Sequence, residues 1–156
     1  MVHALRWEHV ASRQGARVTA PQRRLADVAA GDELEPAVRN ASRAQLFLYS
    51  AATHNPHRIH YDRDYALTEG HVDIIVHGPL QGAWLSQYVT DWAGPRGRML
   101  TLTWQNRRSA VPEHDYVLRG SVEAIDGDVV ALAVRMEDGD GTVLMPGTAT
   151  VRLPQD

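Results

Sequence analysis

An α+β fold, in which an antiparallel sheet curves over a single apolar helix, is the class this sequence predicts, and three observations carry it. The stretch from Gly78 opens on Gly-Pro and then sets Leu80, Ala83, Trp84, Tyr88, Val89 and Trp92 along one face of a helix of about fourteen residues. Four strand candidates follow: Met99 to Arg107, Asp115 to Ile125, Asp128 to Met136 and Thr142 to Leu153. Between them, Asp126-Gly127 and the Asp138 to Gly141 run are hairpin signals that join consecutive antiparallel strands. A helix followed by a four-strand meander that wraps it is the resulting expectation.

The remaining elements are read in chain order. Residues 1–25 hold Arg6, Arg13, Arg17, Arg23 and Arg24 against Glu8 alone, and their apolar residues keep no period. They are expected to form a basic extension ahead of a single domain over residues 26–156. Glu33 to Arg39 reads as a short strand, broken or placed at an edge by Pro36, which has no N–H to give a ladder. Asn40 or Ser42 can cap a helix from Arg43 to about Thr53, and Asn55-Pro56 stops it, because proline pushes the residue before it out of the α region. Arg63 to Leu67 adds a helical turn, and Ile74 to Val76 is an extended approach to the central helix. There Gly78 is expected at the N-cap and Pro79 at the first helical position; Gly94-Pro95 supplies the stop.

Composition narrows the function classes. A chain of 156 residues suits one domain, and 44% hydrophobic with 22% charged residues is ordinary for a water-facing globular protein. A net charge of −3 argues against nucleic acid as the main partner. The absence of cysteine excludes a disulfide framework, a thiolate nucleophile and thiolate-bound zinc. No apolar run reaches the roughly 18 residues that span a bilayer, so the expected setting is the cytosol, with no membrane partner.

Reactive side chains concentrate in Tyr49 to Asp62, which carries His54, Asn55, His57 and His60. As metal ligands the three histidines are poorly spaced: each step of three turns about 300° on a helix, so only neighbours approach, and Pro56 opposes a helix there. His71, His77 or Asp62 would have to complete such a set. As acid/base groups they fare better. An imidazole titrates near neutrality and can take a proton in one direction of a reaction and return it in the other, while the Asn55 amide can hold a water in line. That pairing suits addition of water to a double bond. The same groups can also simply cap helices and brace a loop, with Gly78 a plain helix start and His77 a packing or capping residue. Trp84, Tyr88 and Trp92 are read as core.

The run Tyr-Ser-Ala-Ala-Thr-His-Asn-Pro-His-Arg-Ile-His-Tyr-Asp-Arg-Asp-Tyr-Ala from Tyr49, followed by Val-His-Gly-Pro-Leu from Val76, resembles the hydratase segment of MaoC-like hot dog proteins. Within them it is most similar to the branch of fungal-type mitochondrial 3-hydroxyacyl-thioester dehydratases and mesaconyl-CoA hydratases. The resemblance covers roughly Leu25 to Leu153. It implies the hot dog fold, a curved antiparallel sheet around one long helix, and reversible hydration of a trans-2-enoyl thioester to a (3R)-3-hydroxyacyl thioester. It places the catalytic histidine at His60, sets Asn55 where most members carry aspartate, and makes the Gly78 amide the donor to the thioester oxygen. His57, Arg58, His77 and Pro79 fall beside the substrate, with Arg58 and Asp62 bracing the loop. No metal or redox cofactor is implied; CoA or the phosphopantetheine of an acyl carrier protein is the substrate's handle. The implied assembly is a homodimer or a higher even oligomer. Gln87 to Pro95 is also similar to the helix end in small subunits of heteromeric hydratases from steroid side-chain degradation. That keeps open a bulky acyl group, a heteromer, and a subunit or binding module that needs another chain for catalysis.

Overall fold

The computed structural model describes residues 21–155. Most of the basic extension therefore lies outside the described residues. Its last part is tied down: Gln22 donates from Nε2 to the Ala93 carbonyl (3.1 Å) and accepts from the Arg96 amide (2.7 Å), while Leu25 N–H bonds the Pro154 carbonyl. Leu25 begins a short 3₁₀ turn, Leu25–Asp27, and packs on the core.

Strand β1 (Glu33–Arg39) pairs only with β3 (Tyr116–Asp126), so it is an edge, and its register shifts between Leu34 and Ala37, around Pro36. A bulge there is what a residue without an N–H produces. Helix α1 (Arg43–Ala52) is capped by Ser42, whose Oγ accepts from the Gln45 amide at 3.1 Å, and it buries Leu46 and Ser50, one turn apart. Of the two candidate caps Asn40 is the one not used; its side chain donates to Asp115 instead. A 3₁₀ turn at Arg58–His60 and helix α2 (Arg63–Thr68), capped by Asp62, complete the irregular segment before α3.

Helix α3 (Gly78–Ala93) is two residues longer than about fourteen and buries Leu80, Gln81, Gly82, Trp84, Leu85, Tyr88, Val89 and Ala93. Its start differs from the expectation by one position. His77, in an extended conformation (φ −56°, ψ 131°), is the N-cap, which moves Gly78 into the first helical position. Pro79 still sits where no intrahelical acceptor awaits an N–H. Gly94, at φ 78°, ends the helix.

Strands β3, β4 (Val129–Glu137) and β5 (Val143–Arg152) form an antiparallel meander through turns at Gly127 (φ 59°) and Gly141 (φ 85°). The expected four-strand meander is corrected at β2 (Arg98–Trp104): the sheet order is β1-β3-β4-β5-β2, so β2 lies at the far edge, antiparallel to β5. The connection from Trp104 to Tyr116 carries no tight-turn signal and is long enough to cross the end of the sheet. The strand also stops at Trp104 rather than Arg107, although the amides of Gln105 and Arg107 still bond to the Pro146 and Leu144 carbonyls.

The core forms where the buried face of α3 meets Leu118, Val122, Leu132, Val134, Met136, Ala149 and Val151 of the sheet. Gly82 lets the Trp104 ring come against the helix, because a Cβ there would sit 2.5 Å from the indole. No helix among the described residues is long and apolar enough to cross a membrane.

Candidate active site

The chain between α1 and α3 is held by backbone bonds, Ile75 N–H to the Ile59 carbonyl and Val76 N–H to the Ala110 carbonyl among them, and by side chains. Thr53 follows the last turn of α1, and His54 takes a left-handed conformation (φ 53°) that turns the chain out of the helix. Asn55 Oδ1 then accepts the His57 amide at 3.2 Å, and His57 Nδ1 faces the Ile59 amide at 3.4 Å. Arg58 grips Asp62 with Nε (3.0 Å) and Nη2 (2.6 Å) and lies over the Tyr65 ring at 4.4 Å. The loop-bracing part assigned to Arg58 and Asp62 is visible in those contacts.

His60 is buried, at 7% exposure, and its Nδ1 lies 2.8 Å from the Ile75 carbonyl. A carbonyl only accepts, so Nδ1 carries the hydrogen and Nε2 of the neutral ring bears the lone pair. Burial lowers the pKa of this ring from its ordinary value; the bond to Ile75 opposes the shift, and His57 and His71 add to it. His60 is therefore a neutral base with a fixed tautomer.

Beneath it lies His77, wholly buried and stacked ring on ring, with centroids 3.7 Å apart and planes 18° from parallel. Its Nε2 meets Ser50 Oγ at 2.8 Å, and its Nδ1 has no partner. Donation from Nε2–H to Ser50 is the less costly tautomer, since it leaves a bare acceptor rather than a bare N–H. Burial first and the neighbouring His60 second push the His77 pKa down to about 4. His77 is thus a neutral, wholly buried ring against which His60 is packed.

His60, Val76, Gly78, Gln81, Asn106 and Arg108 line one cavity of about 210 Å³. The Gly78 N–H, at the start of α3, has no acceptor among the described residues, and the helix dipole there favours negative charge. Asn55 lines a different cavity of about 410 Å³, with Phe47, Ser50, Ala51, His54, Pro56 and Tyr61. The structure thus brings His60, His77 and Gly78 together, and Asn55 lines a separate cavity that it shares with Ser50. Pro79 is exposed at the second position of the helix, and His57 approaches His60 edge-on at 6.2 Å.

The sequence reading missed Ser50, Gln81 and Asn106. Gln81 is 3% exposed and donates from Nε2 to the Val76 carbonyl, leaving Oε1 unpartnered. A glutamine on the buried face of α3 was a signal; Asn106 gave none beyond the polar run that follows Trp104.

The family model described as hydroxyacyl-thioester dehydratase type 2 matches residues 8–110. The chain belongs to this family. The chain is 32% identical over 105 residues to the 3-oxo-4,17-pregnadiene-20-carboxyl-CoA hydratase beta subunit of Mycobacterium tuberculosis, covering 65% of this chain and 77% of that one. It is 61% identical to mesaconyl-C(4)-CoA hydratase of Chloroflexus aurantiacus over 36 residues, 22% of this chain and only 13% of that protein's length. In structure the chain superposes on R-hydratase PhaJ1 from Pseudomonas aeruginosa with a TM-score of 0.75 at 24% identity, covering 84% of this chain and 85% of the other. It matches a chain of the ChsH1–ChsH2 complex from Mycobacterium tuberculosis with a TM-score of 0.74 at 21% identity, over 81% and 98%. The fold is the hot dog fold, and the MaoC-like resemblance carried by Tyr49 to Ala66 and Val76 to Leu80 holds at the level of the family.

Proposed function

We propose that this protein reversibly hydrates a trans-2-enoyl thioester, carried by CoA or an acyl carrier protein, to the (3R)-3-hydroxyacyl thioester. The observation that carries the reading is a neutral histidine with its lone pair on Nε2 in the same cavity as the unpaired Gly78 amide. In the hydration direction, His60 takes a proton from water as the water oxygen bonds C3. Electron density moves through the double bond to the thioester oxygen, where the Gly78 N–H and the helix dipole receive the charge. The imidazolium then returns a proton to C2, so the elements of water have been added and the base restored. Asn55 is assigned the water-holding part, through the NH₂ that its bond to His57 leaves free. His57, Arg58 and Pro79 border the approach to this site. The chemistry calls for no metal or redox cofactor, and the assembly we propose is a homodimer or a higher even oligomer.

Purified protein should bleach the enoyl-thioester absorbance of a short or medium enoyl-CoA, unaffected by a chelator, and chiral analysis should return the R alcohol. No bleaching with any enoyl-CoA or enoyl carrier protein, alone or with a partner subunit, sinks the reading.

A second reading is favoured by the 32% identity to a subunit named beta and by Asn55 in the usual aspartate position. In it the chain is a subunit or thioester-binding module that needs another chain for turnover. Asn55→Asp separates the two. A silent native chain awakened by the substitution marks a subunit; native activity that falls on substitution marks an Asn/His enzyme.

A further inference from the structure

We propose that the side-chain amide of Asn106 is a second hydrogen-bond donor to the thioester oxygen, working beside the Gly78 N–H; this rests on the hydratase reading above. Asn106 comes from the crossing that follows β2, far from Gly78 in sequence, yet its side chain lies directly over that glycine. A Cβ placed at Gly78 would sit 2.6 Å from Asn106 Nδ2 and 3.4 Å from Oδ1. The nitrogen side of the amide is therefore turned towards the head of α3. Neither the Gly78 N–H nor the Asn106 amide has an acceptor among the described residues, and both line the cavity that contains His60.

Gln81 is an independent sign that this cavity receives a polar ligand. It lines the same wall and is 3% exposed, and its Oε1 is buried without a partner. Buried acceptors are ordinarily matched, and one left bare in a residue of this wall belongs to a site that a ligand or ordered water completes. Arg107 and Arg108 on the same rim add positive potential for an oxygen that gains charge. A two-donor hole is also what the reaction needs. An oxygen acquiring charge in the transition state accepts two hydrogen bonds well, and each preorganised donor contributes about a hundredfold to the rate. The absence of a side chain at Gly78 is then explained twice over, by the exposed backbone N–H and by the space the Asn106 amide occupies.

Two substitutions and one spectrum test it. Asn106→Ala deletes the donor, and Asn106→Asp keeps the shape but replaces the donor with a carboxylate. Both should lower kcat about a hundredfold, with KM within about threefold and an unchanged Tm; the acid limb of the pH profile should stay in place for Asn106→Ala and move to higher pH for Asn106→Asp, whose carboxylate favours the His60 imidazolium. The spectrum uses a 2,4-dienoyl-CoA bound to the His60→Ala protein, which cannot turn it over. Donors on the thioester oxygen polarise the conjugated system and shift its absorbance to longer wavelength. That shift should shrink when Asn106→Ala is added. Rates within threefold of the parent, a loss confined to KM, or a shift untouched by Asn106→Ala overturns the second donor and leaves the hydratase reading standing. A wild-type protein that neither turns over enoyl thioesters nor shifts the dienoyl spectrum overturns the reading itself. Should one variant lower Tm, the other and the bound spectrum decide.

Discussion

The cavity lined by His60 and the cavity lined by Asn55 and Ser50 differ in kind. The smaller one, around His60, gathers groups with unmet hydrogen-bonding capacity: a lone pair on His60 Nε2, the Gly78 amide, the Asn106 amide and Gln81 Oε1. The larger one, around Asn55, has Phe47, Ala51, Pro56 and Tyr61 among its walls, with Phe47 and Tyr61 meeting edge to face at 6.1 Å. In this cavity Asn55 has already given its oxygen to the backbone. Charge can therefore develop and be stabilised in the first cavity, whereas the second offers shape and one spare amide. Reactive residue types crowd the sequence from His54 to His60, but what sorts them is which still has a free, correctly polarised atom after folding.

The largest effect should come from removing the lone pair. His60→Ala is expected to lower the hydration rate by roughly 10³-fold or more, since positioned acid/base groups contribute in that range; steady-state loss of enoyl absorbance measures it. A comparable loss from Asn55→Ala would erase the contrast between the cavities. Gly78→Ala is expected to follow, at about 10²-fold, because its methyl group would displace the Asn106 amide. Gly78 does not have a positive φ, and alanine is the better helix former by up to about 1 kcal/mol. Thermal stability should hold while activity falls, and a fall in both instead would mark Gly78 as a packing residue.

The parts of this molecule that depend on local pattern were legible in the sequence. The apolar stripe from Leu80 onward marked α3, Pro36 marked an edge, and two Asp/Gly turns marked the β3–β4–β5 meander. The position of β2 was not, because strand order is fixed by partners distant in sequence and by how far a connection reaches. The one-residue displacement of the α3 N-cap was not legible either: His77, extended in backbone and buried under His60, owes its burial to a partner seventeen residues away, which no local propensity encodes. Within the site, His60 and Gly78 were legible through two short motifs. Asn106 was not, since a polar residue after a strand looks like any loop until the crossing folds it over Gly78.

The stacked histidines make the first cavity sensitive to acid in two ways. Because the His60 pKa lies below the ordinary value, its base form should persist, and kcat/KM should hold, to a lower pH than a free imidazole allows. Stability should change over a neighbouring window. His77 titrates near 4 when folded and near 6.5 when unfolded, so between these values the unfolded chain binds the extra proton. Stability is then full above about pH 6.5 and declines as pH falls towards 4, by at most about 3 kcal/mol. Asp62 and Asp73, whose arginine partners hold them low, lose their contribution only below about pH 4, outside that window. Urea midpoints that agree at pH 7.5 and pH 5 would break this part of the contrast.

The smallest expected effect is at Ser50, which lines the second cavity and bonds His77. Ser50→Ala removes the one partner of His77 and leaves both its ring nitrogens bare inside the protein. An orphaned buried group of this kind costs about 1–2 kcal/mol, to be read as a lowered denaturation midpoint with an unchanged m-value. Activity should fall by less than tenfold, because His60 keeps its own bond to Ile75 and loses only the firmness of the ring beneath it. Ser50→Thr, which keeps the hydroxyl, should recover most of the stability if its methyl fits beside Ala51 and Asn55 in the second cavity. A Ser50→Ala protein as inactive as His60→Ala would mean that the two cavities act as one, with protons passing between them through His77; the intact tautomer of His60, fixed from the opposite side by a carbonyl, argues that they do not.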